Sequence, residues 1–164
     1  MKSLLRYFYS KMREFIKNFL FKIKSRGFVF SPVFIIGCGR SGTTILGNTL
    51  SKHPQIEYLN ERRDLWHKSY PEFDIWNKNM EDSKIYADKK DVSNEKNKIL
   101  NYFFFREQVL GNATILLEKL PINSFRLKFI EQVFPNARYI YLTRNGLEVS
   151  ESIEKAIKNG GWLR

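Results

Sequence analysis

The stretch Gly37-Cys38-Gly39-Arg40-Ser41-Gly42-Thr43-Thr44 follows four consecutive apolar residues and precedes a segment able to form a helix. A strand, a glycine-rich turn and a helix start together make a place for an anion. Glycines let the chain curl so that successive N–H groups point inward, and the helix N-terminus adds its partial positive charge. Such a loop serves chemistry on phosphate-bearing molecules. The nucleoside-triphosphatase version carries Gly-Lys-Ser/Thr, with the lysine on the terminal phosphates and the hydroxyl on Mg²⁺. Here Thr43 stands in the lysine position and the cation is Arg40, inside the loop. No acidic residue follows the later apolar run at Leu142-Thr143-Arg144 to hold a metal. Phosphoryl transfer is therefore the weaker enzymatic reading. A glycine turn without a ligand is the bland alternative, and the small and hydroxyl residues beside an arginine speak against it.

A resemblance sharpens this. Gly39-Arg40-Ser41-Gly42-Thr43-Thr44 resembles the 5′-phosphosulfate loop of the sulfotransferase superfamily that uses PAPS (3′-phosphoadenosine 5′-phosphosulfate). Phe134-Pro135-Asn136-Ala137-Arg138-Tyr139-Ile140-Tyr141-Leu142-Thr143-Arg144 resembles its second signature, a strand ending in arginine, and Ser152 follows at the family's spacing. The match extends over residues 32–157 and is nearest in spacing to tyrosylprotein and bacterial sulfotransferases. It implies PAPS as sulfuryl donor, no metal, and a hydroxyl acceptor on protein tyrosine, a sugar or a small molecule. It also implies that Gly39, Arg40, Ser41, Gly42, Thr43 and Thr44 hold the 5′ end of the donor, and Arg144 and Ser152 its 3′-phosphate. Apart from the family, an arginine at the carboxyl edge of a parallel strand sits where such sheets bind ligands, or else makes a surface ion pair.

Sulfuryl transfer needs a base for the acceptor proton, cations where charge grows on the leaving phosphate, and in-line positioning. Asn60-Glu61-Arg62-Arg63 resembles the glutamate-bearing segment after the second strand in tyrosylprotein and glycosaminoglycan sulfotransferases, which makes Glu61 the base candidate. Arg63 would support it or touch substrate. A solvated glutamate paired with a neighbouring arginine is the plain alternative, and mid-strand Glu57 the competitor. Leu117-Glu118-Lys119-Leu120-Pro121 resembles the family's lysine-proline segment, so Lys119 and Arg40 are expected to stabilise the leaving group. His67 is a minor alternative base, His53 a helix-end residue, and Cys38 a small loop residue.

These residues need elements to position them. Residues 33–36 form a continuous apolar run, as in a buried parallel strand. A helix follows over 44–52, ended by His53-Pro54, then a strand over 56–59. Residues 64–93 are expected to be an irregular excursion over the substrate side. A helix over 95–110 has Asn94 as N-cap and Gly111-Asn112 as its stop. A strand over 114–117, a helix over 125–133, a strand over 138–143 and a helix over 147–157 complete the pattern, with Gly160-Gly161 as the last stop. Alternating strands and helices predict an α/β fold, a parallel sheet flanked by helices.

The formal charge is +11, and residues 1–28 account for seven of it, with eight basic side chains against Glu14 alone. The remainder is mildly basic, which suits an anionic nucleotide, and no nucleic-acid partner is expected. Residues 1–30 form a separate amphipathic helical segment, with Leu5, Phe8, Met12, Phe15, Phe19 and Ile23 at steps of three and four. Their apolar runs are too short to cross a bilayer or to form a secretory signal. The helix either lies on an anionic membrane surface or packs its stripe on the domain or a partner, and Gly27 and Pro32 punctuate its end. A single cysteine excludes an internal disulfide and fits a cytoplasmic, reducing setting, peripheral to a membrane in the first case. The nucleotide-binding domain is expected over 31–164. Because the sequence ends at Gly160-Gly161-Trp162-Leu163-Arg164, soon after the helix bearing Ser152, the expectation is an incomplete domain. A noncatalytic, membrane-associated nucleotide-binding module from a truncated sulfotransferase is the alternative from another class.

Overall fold

Phe34 and Ile36 face one side of the sheet and Val33 and Ile35 the other, as the two-residue period of a strand requires. All are buried, because their strand is central. The computed structural model describes residues 2–26, 29–30, 32–76 and 83–160, with side chains from residue 5 onward. Gly27 and Gly161, expected to punctuate the chain, lie outside the described residues, as does the stretch 77–82. The elements run α1 (Lys2–Lys24), β1 (Pro32–Ile36), α2 (Thr43–Leu50), β2 (Ile56–Asn60), α3 (Arg63–Ser69) and α4 (Asn94–Leu110). There follow β3 (Ile115–Lys119), α5 (Leu127–Val133), β4 (Arg138–Tyr141) and α6 (Gly146–Lys158).

The four strands make one parallel sheet in the order β2-β3-β1-β4, the α/β architecture that the alternation predicted. From β1 the chain runs to one edge at β2, whereas from β3 it crosses β1 to reach β4 at the other. The carboxyl end of β1 therefore lies at a switch point of the topology, where such sheets open a crevice for ligands. One face carries the larger core, with Phe34, Leu59, Trp66, Leu100, Phe104, Leu116, Phe129 and Phe134. The opposite face packs Val33, Ile35 and Leu117 against Leu46 and Leu50 of α2.

Several boundaries differ from the sequence reading. The expected irregular excursion contains α3, because Leu65, Trp66, Ser69, Tyr70 and Phe73 are buried and pull the chain into the core. The N-cap of α4 is Ser93, whose side chain accepts from Lys96 N, and Asn94 is the first helical residue. Strand β3 runs two residues further than expected, to Lys119, because β1 and β2 both pair with it that far. Helix α5 begins at Leu127, after a 3₁₀ turn over Pro121–Phe125. Strand β4 stops at Tyr141, so Arg144 sits in the loop beyond the strand.

Glu118, fully buried in β3, accepts from Trp66 Nε1 at 3.1 Å and Asn123 Nδ2 at 3.0 Å, tying α3 and the 3₁₀ turn to the sheet. Burial pushes its carboxyl up to about 7, against the pull of those two hydrogen bonds. Between 4.5 and about 7 the folded chain thus holds a proton that the unfolded chain has lost. The unfolded state binds fewer protons there, so stability falls as pH rises through that window. Glu118→Gln is neutral at every pH, and Asn123, whose Oδ1 lacks a partner, can turn its amide to accept from it. The variant should flatten the decline and exceed the parent above that window by up to ~3 kcal/mol. Thermal unfolding across this pH range measures it, and an unchanged slope would assign the decline to another group.

Candidate functional site

All four strands deliver candidate residues at their carboxyl ends. The loop Gly37 to Gly42 follows β1, Glu61 follows β2, Lys119 is the last residue of β3, and Arg144 lies just past β4. The glycine-rich loop after β1 is bent by two residues with positive φ, Arg40 at 68° and Gly42 at 95°. An arginine in the left-handed region is uncommon, and it persists only where the surroundings fix it. Gly42 is also the N-cap of α2, with no side chain capping the helix, so the first helical N–H groups are available to a ligand. Ser124 clasps the loop's start: its Oγ accepts from Gly37 N at 3.1 Å and donates to Gly37 O at 3.2 Å. Behind the loop, α2 lies so close to the sheet that a Cβ on Gly47 would meet the Tyr58 ring at 2.2 Å.

Within the loop the residues divide. Ser41 and Thr43 are buried, whereas Arg40 and Thr44 are exposed. Arg40 Nε donates to Ser152 Oγ of α6 at 3.1 Å, and Arg144 Nη1 donates to the Arg40 carbonyl at 3.2 Å. Arg40, Arg144 and Ser152 therefore form one cluster. Arg144 also donates through Nε to Glu148 at 2.8 Å, the surface pair that was its plain alternative.

Glu61 and Lys119 form the second cluster. Glu61 N donates to Lys119 O at 2.9 Å, and Lys119 Nζ donates to Glu61 Oε1 at 2.6 Å. The Lys119 side chain is only 1% exposed against 40% for Glu61, so the carboxylate is the half of the pair that meets solvent. Strand β3 carries Lys119 into the protein, so its ammonium meets Glu61 and is shielded from water. Arg62, a neighbouring arginine, pairs with Asp64 and Glu107 and not with Glu61.

A cleft of about 640 Å³ opens beside Glu61. Gly37, Cys38 and Gly39 line it together with Glu61, Arg63, Ile75, Trp76, Ile122, Phe125 and Tyr141. The Arg63 guanidinium lies 4.5 Å over the Trp76 ring, a cation–π stack that holds both side chains in the cleft wall. Glu57 and the histidines take other places. Glu57 lies near the start of β2, against Gly111, where burial and the Glu107 charge raise its carboxyl. His67 faces Asp74 at 3.3 Å, His53 Nδ1 accepts from Gln55 N at 3.2 Å, and neither lines the cleft. A groove of about 650 Å³ beyond Ser124 and Phe125, bordered by Lys84, Lys90 and Lys128, holds none of the candidate residues.

Sequence reasoning missed Ser124, Trp76 and Glu118. Ser124 follows the lysine-proline segment but carries no spacing signal. Trp76 falls in the stretch 64–93 expected to be irregular, where no spacing marks it. Glu118 stands just past the strand expected over 114–117, and it becomes an acid within a buried strand only because β3 extends to Lys119.

Residues 32–161 match the model of a family described as the sulfotransferase family. Among curated proteins, the chain is 28% identical over 134 residues to protein-tyrosine sulfotransferase 1 of Homo sapiens, which covers 79% of this chain and 36% of the relative. Protein-tyrosine sulfotransferase A of Caenorhabditis elegans is 28% identical over 133 residues, covering 74% of this chain and 32% of the relative. The chain thus spans about a third of the length of these relatives.

The loop's start is fixed by backbone. A Cβ on Gly37 would lie 2.5 Å from the Leu142 carbonyl oxygen, which cannot swing aside. Gly37→Ala should therefore lower stability by ~1–3 kcal/mol, the usual cost of overpacking. Gly146→Ala, where a Cβ meets nothing within 4 Å, is the control and should melt like the parent. Equal melting of the two variants would show that β4 does not restrain the loop.

Proposed function

The chain belongs to the sulfotransferase family, and from that footing we propose that it binds PAPS and passes the sulfuryl group to a hydroxyl acceptor. The meeting of Arg40, Arg144 and Ser152 carries the proposal, since the contacts join residues 104 and 112 positions apart. These residues suit a doubly phosphorylated nucleotide: two guanidiniums, a hydroxyl and a helix start gather donors on one side of the loop, with Glu148 the one acid paired among them. PAPS would supply the sulfuryl group, the acceptor oxygen bonding sulfur as the bond to the 5′-phosphate oxygen breaks, and would leave as adenosine 3′,5′-bisphosphate. Arg40 and the loop amides hold the 5′ end, and Arg144 and Ser152 hold the 3′-phosphate, with Glu148 giving up its hold on Arg144. Lys119 and Arg40 put positive charge where the leaving oxygen becomes anionic.

Glu61 takes the acceptor proton from within the cleft. Its pairing with Lys119 aims the exposed carboxylate across the space that Gly37, Cys38 and Gly39 also line. Both relatives are named for protein tyrosine. An apolar wall of Ile75, Trp76, Ile122 and Phe125 with Arg63 beside it suits an aromatic hydroxyl next to an acidic group, so protein tyrosine is the favoured acceptor class.

Calorimetry with adenosine 3′,5′-bisphosphate in EDTA tests the donor side. Binding is expected without metal, and Arg144→Ala should weaken it by roughly 2–4 kcal/mol, the worth of a charge-assisted phosphate pair. Equal affinity for 5′-AMP would remove Arg144 and Ser152 from their role, and a requirement for Mg²⁺ would return phosphoryl transfer. Glu61→Gln should leave that affinity unchanged and lower sulfuryl transfer by roughly 10²–10⁴-fold. Transfer at the parent rate would place the base elsewhere.

A further inference from the structure

Helix α1 resolves into two faces that the sequence alone presented as one choice. Only Glu14, Lys17, Asn18, Phe21 and Ser25 are half-buried along residues 5–26, and they fall at steps of three and four on one side. They dock on α4. Glu14 and Asn18 accept from Arg106, Lys17 donates to Glu107 at 3.1 Å, and Phe21 packs edge-on against Tyr102 and Phe105. The docking is thus mostly polar and ionic, and it uses none of the apolar stripe.

Leu5, Phe8, Met12, Phe15, Phe19 and Ile23 all remain exposed, Phe15 at 72%. At 3.6 residues per turn they project from the side opposite the docked residues. The same geometry puts Arg6, Arg13 and Lys24 along one flank of the stripe, and Lys11 and Lys22 along the other. The single acid of the helix, Glu14, is spent on Arg106. A stripe of large apolar side chains with cations on both flanks has the distribution that lets rings enter an acyl boundary while ammonium and guanidinium groups reach up to phosphates. No described helix is long and apolar enough to cross a membrane.

We propose that α1 docks this protein on an anionic lipid surface, with the stripe inserted at the headgroup boundary and Arg6, Lys11, Arg13, Lys22 and Lys24 against lipid phosphates. A second copy of the chain fits less well. Two such helices pairing through their stripes would bring like charges together along both seams, where paired helices place opposite ones. The docked face leaves the inserted face free, so the surface is reached with the domain already attached through α4.

The full chain, sedimented with phosphatidylcholine vesicles with and without phosphatidylserine, provides the test. It should pellet with the anionic vesicles and stay behind with the neutral ones. Arg13→Ser should weaken vesicle binding about fivefold, in line with the worth of one cation near such a surface, and added salt should weaken it further. Phe15→Gln with Phe19→Gln should abolish measurable pelleting while leaving the thermal midpoint unchanged, since neither ring is buried. Failure of the parent to pellet, or equal pelleting on neutral vesicles, overturns the proposal. So does concentration-dependent dimerisation in free solution that the two phenylalanine changes abolish, which would assign the stripe to a second copy.

Discussion

An ammonium group buried at the end of β3 is the constraint around which the site is built. A charge removed from water must be paired, or its burial costs several kcal/mol. Lys119 finds its counter-charge in Glu61, and the arrangement dictates local backbone. The residue after β2 must turn back over β3, which Glu61 does in the left-handed region at φ 51°, donating its own N–H to the Lys119 carbonyl. A non-glycine residue held there is strained, and here the ion pair and the backbone hydrogen bond hold it from two sides. The register of β2 on β3, with Asn60 opposite Lys119, then sets where the carboxylate emerges.

The consequence is a division of labour on either side of one loop. Residues Gly37 to Gly39 form a wall shared with the Glu61 cleft, and Arg40 on the far side reaches Ser152. That wall must be thin, and Gly37, packed against the Leu142 carbonyl, is what makes it so. Under the proposed reaction, a donor held by the cations and an acceptor held in the cleft would meet across backbone alone. Lys119 ends β3, the strand that pairs with both β1, which leads into the loop, and β2, which leads into Glu61. Its charge is already desolvated, so in that reaction it would meet a developing anion with less solvent to reorganise.

Much of this was legible in the sequence. The glycine-rich strand-to-helix loop, the alternation of strands and helices and the carboxyl-end placement of Arg40, Glu61, Lys119 and Arg144 follow from glycine spacing, apolar runs and motif resemblance. What could not be read depends on partners distant in the chain. Strand β3 extends to Lys119 because two neighbours pair with it, which no local pattern records. Helix α3 hid in a polar stretch because only two of its seven residues, Leu65 and Trp66, are apolar, and its stability comes from their burial beneath the sheet. Arg144 lies past the strand rather than on it, because β4 is an edge strand paired on one side alone. The choice between a docked and a free α1 was posed as a single alternative. An acid on one side of the helix and rings on the other allow both.

The charge balance gains its meaning from these placements. A net +11 is a single number, yet the cations work in two unlike settings. Apart from docked Lys17, the described cations of α1 are exposed, spread along two flanks and screened by salt within about a Debye length, so they suit a broad anionic surface met reversibly. Lys119 is buried and aimed, with its position set by strand register, so salt affects it little. Arg40 and Arg144 lie between these limits, exposed but held by hydrogen bonds to Ser152, Glu148 and the loop carbonyl. The Glu107 carboxylate separates the two systems. Burial pushes it up, but Lys17, Arg62 and Arg106 outweigh that and hold it below the usual range. By engaging Arg62, the residue beside Glu61, Glu107 draws that guanidinium away from the cleft. Glu61 is left to Lys119.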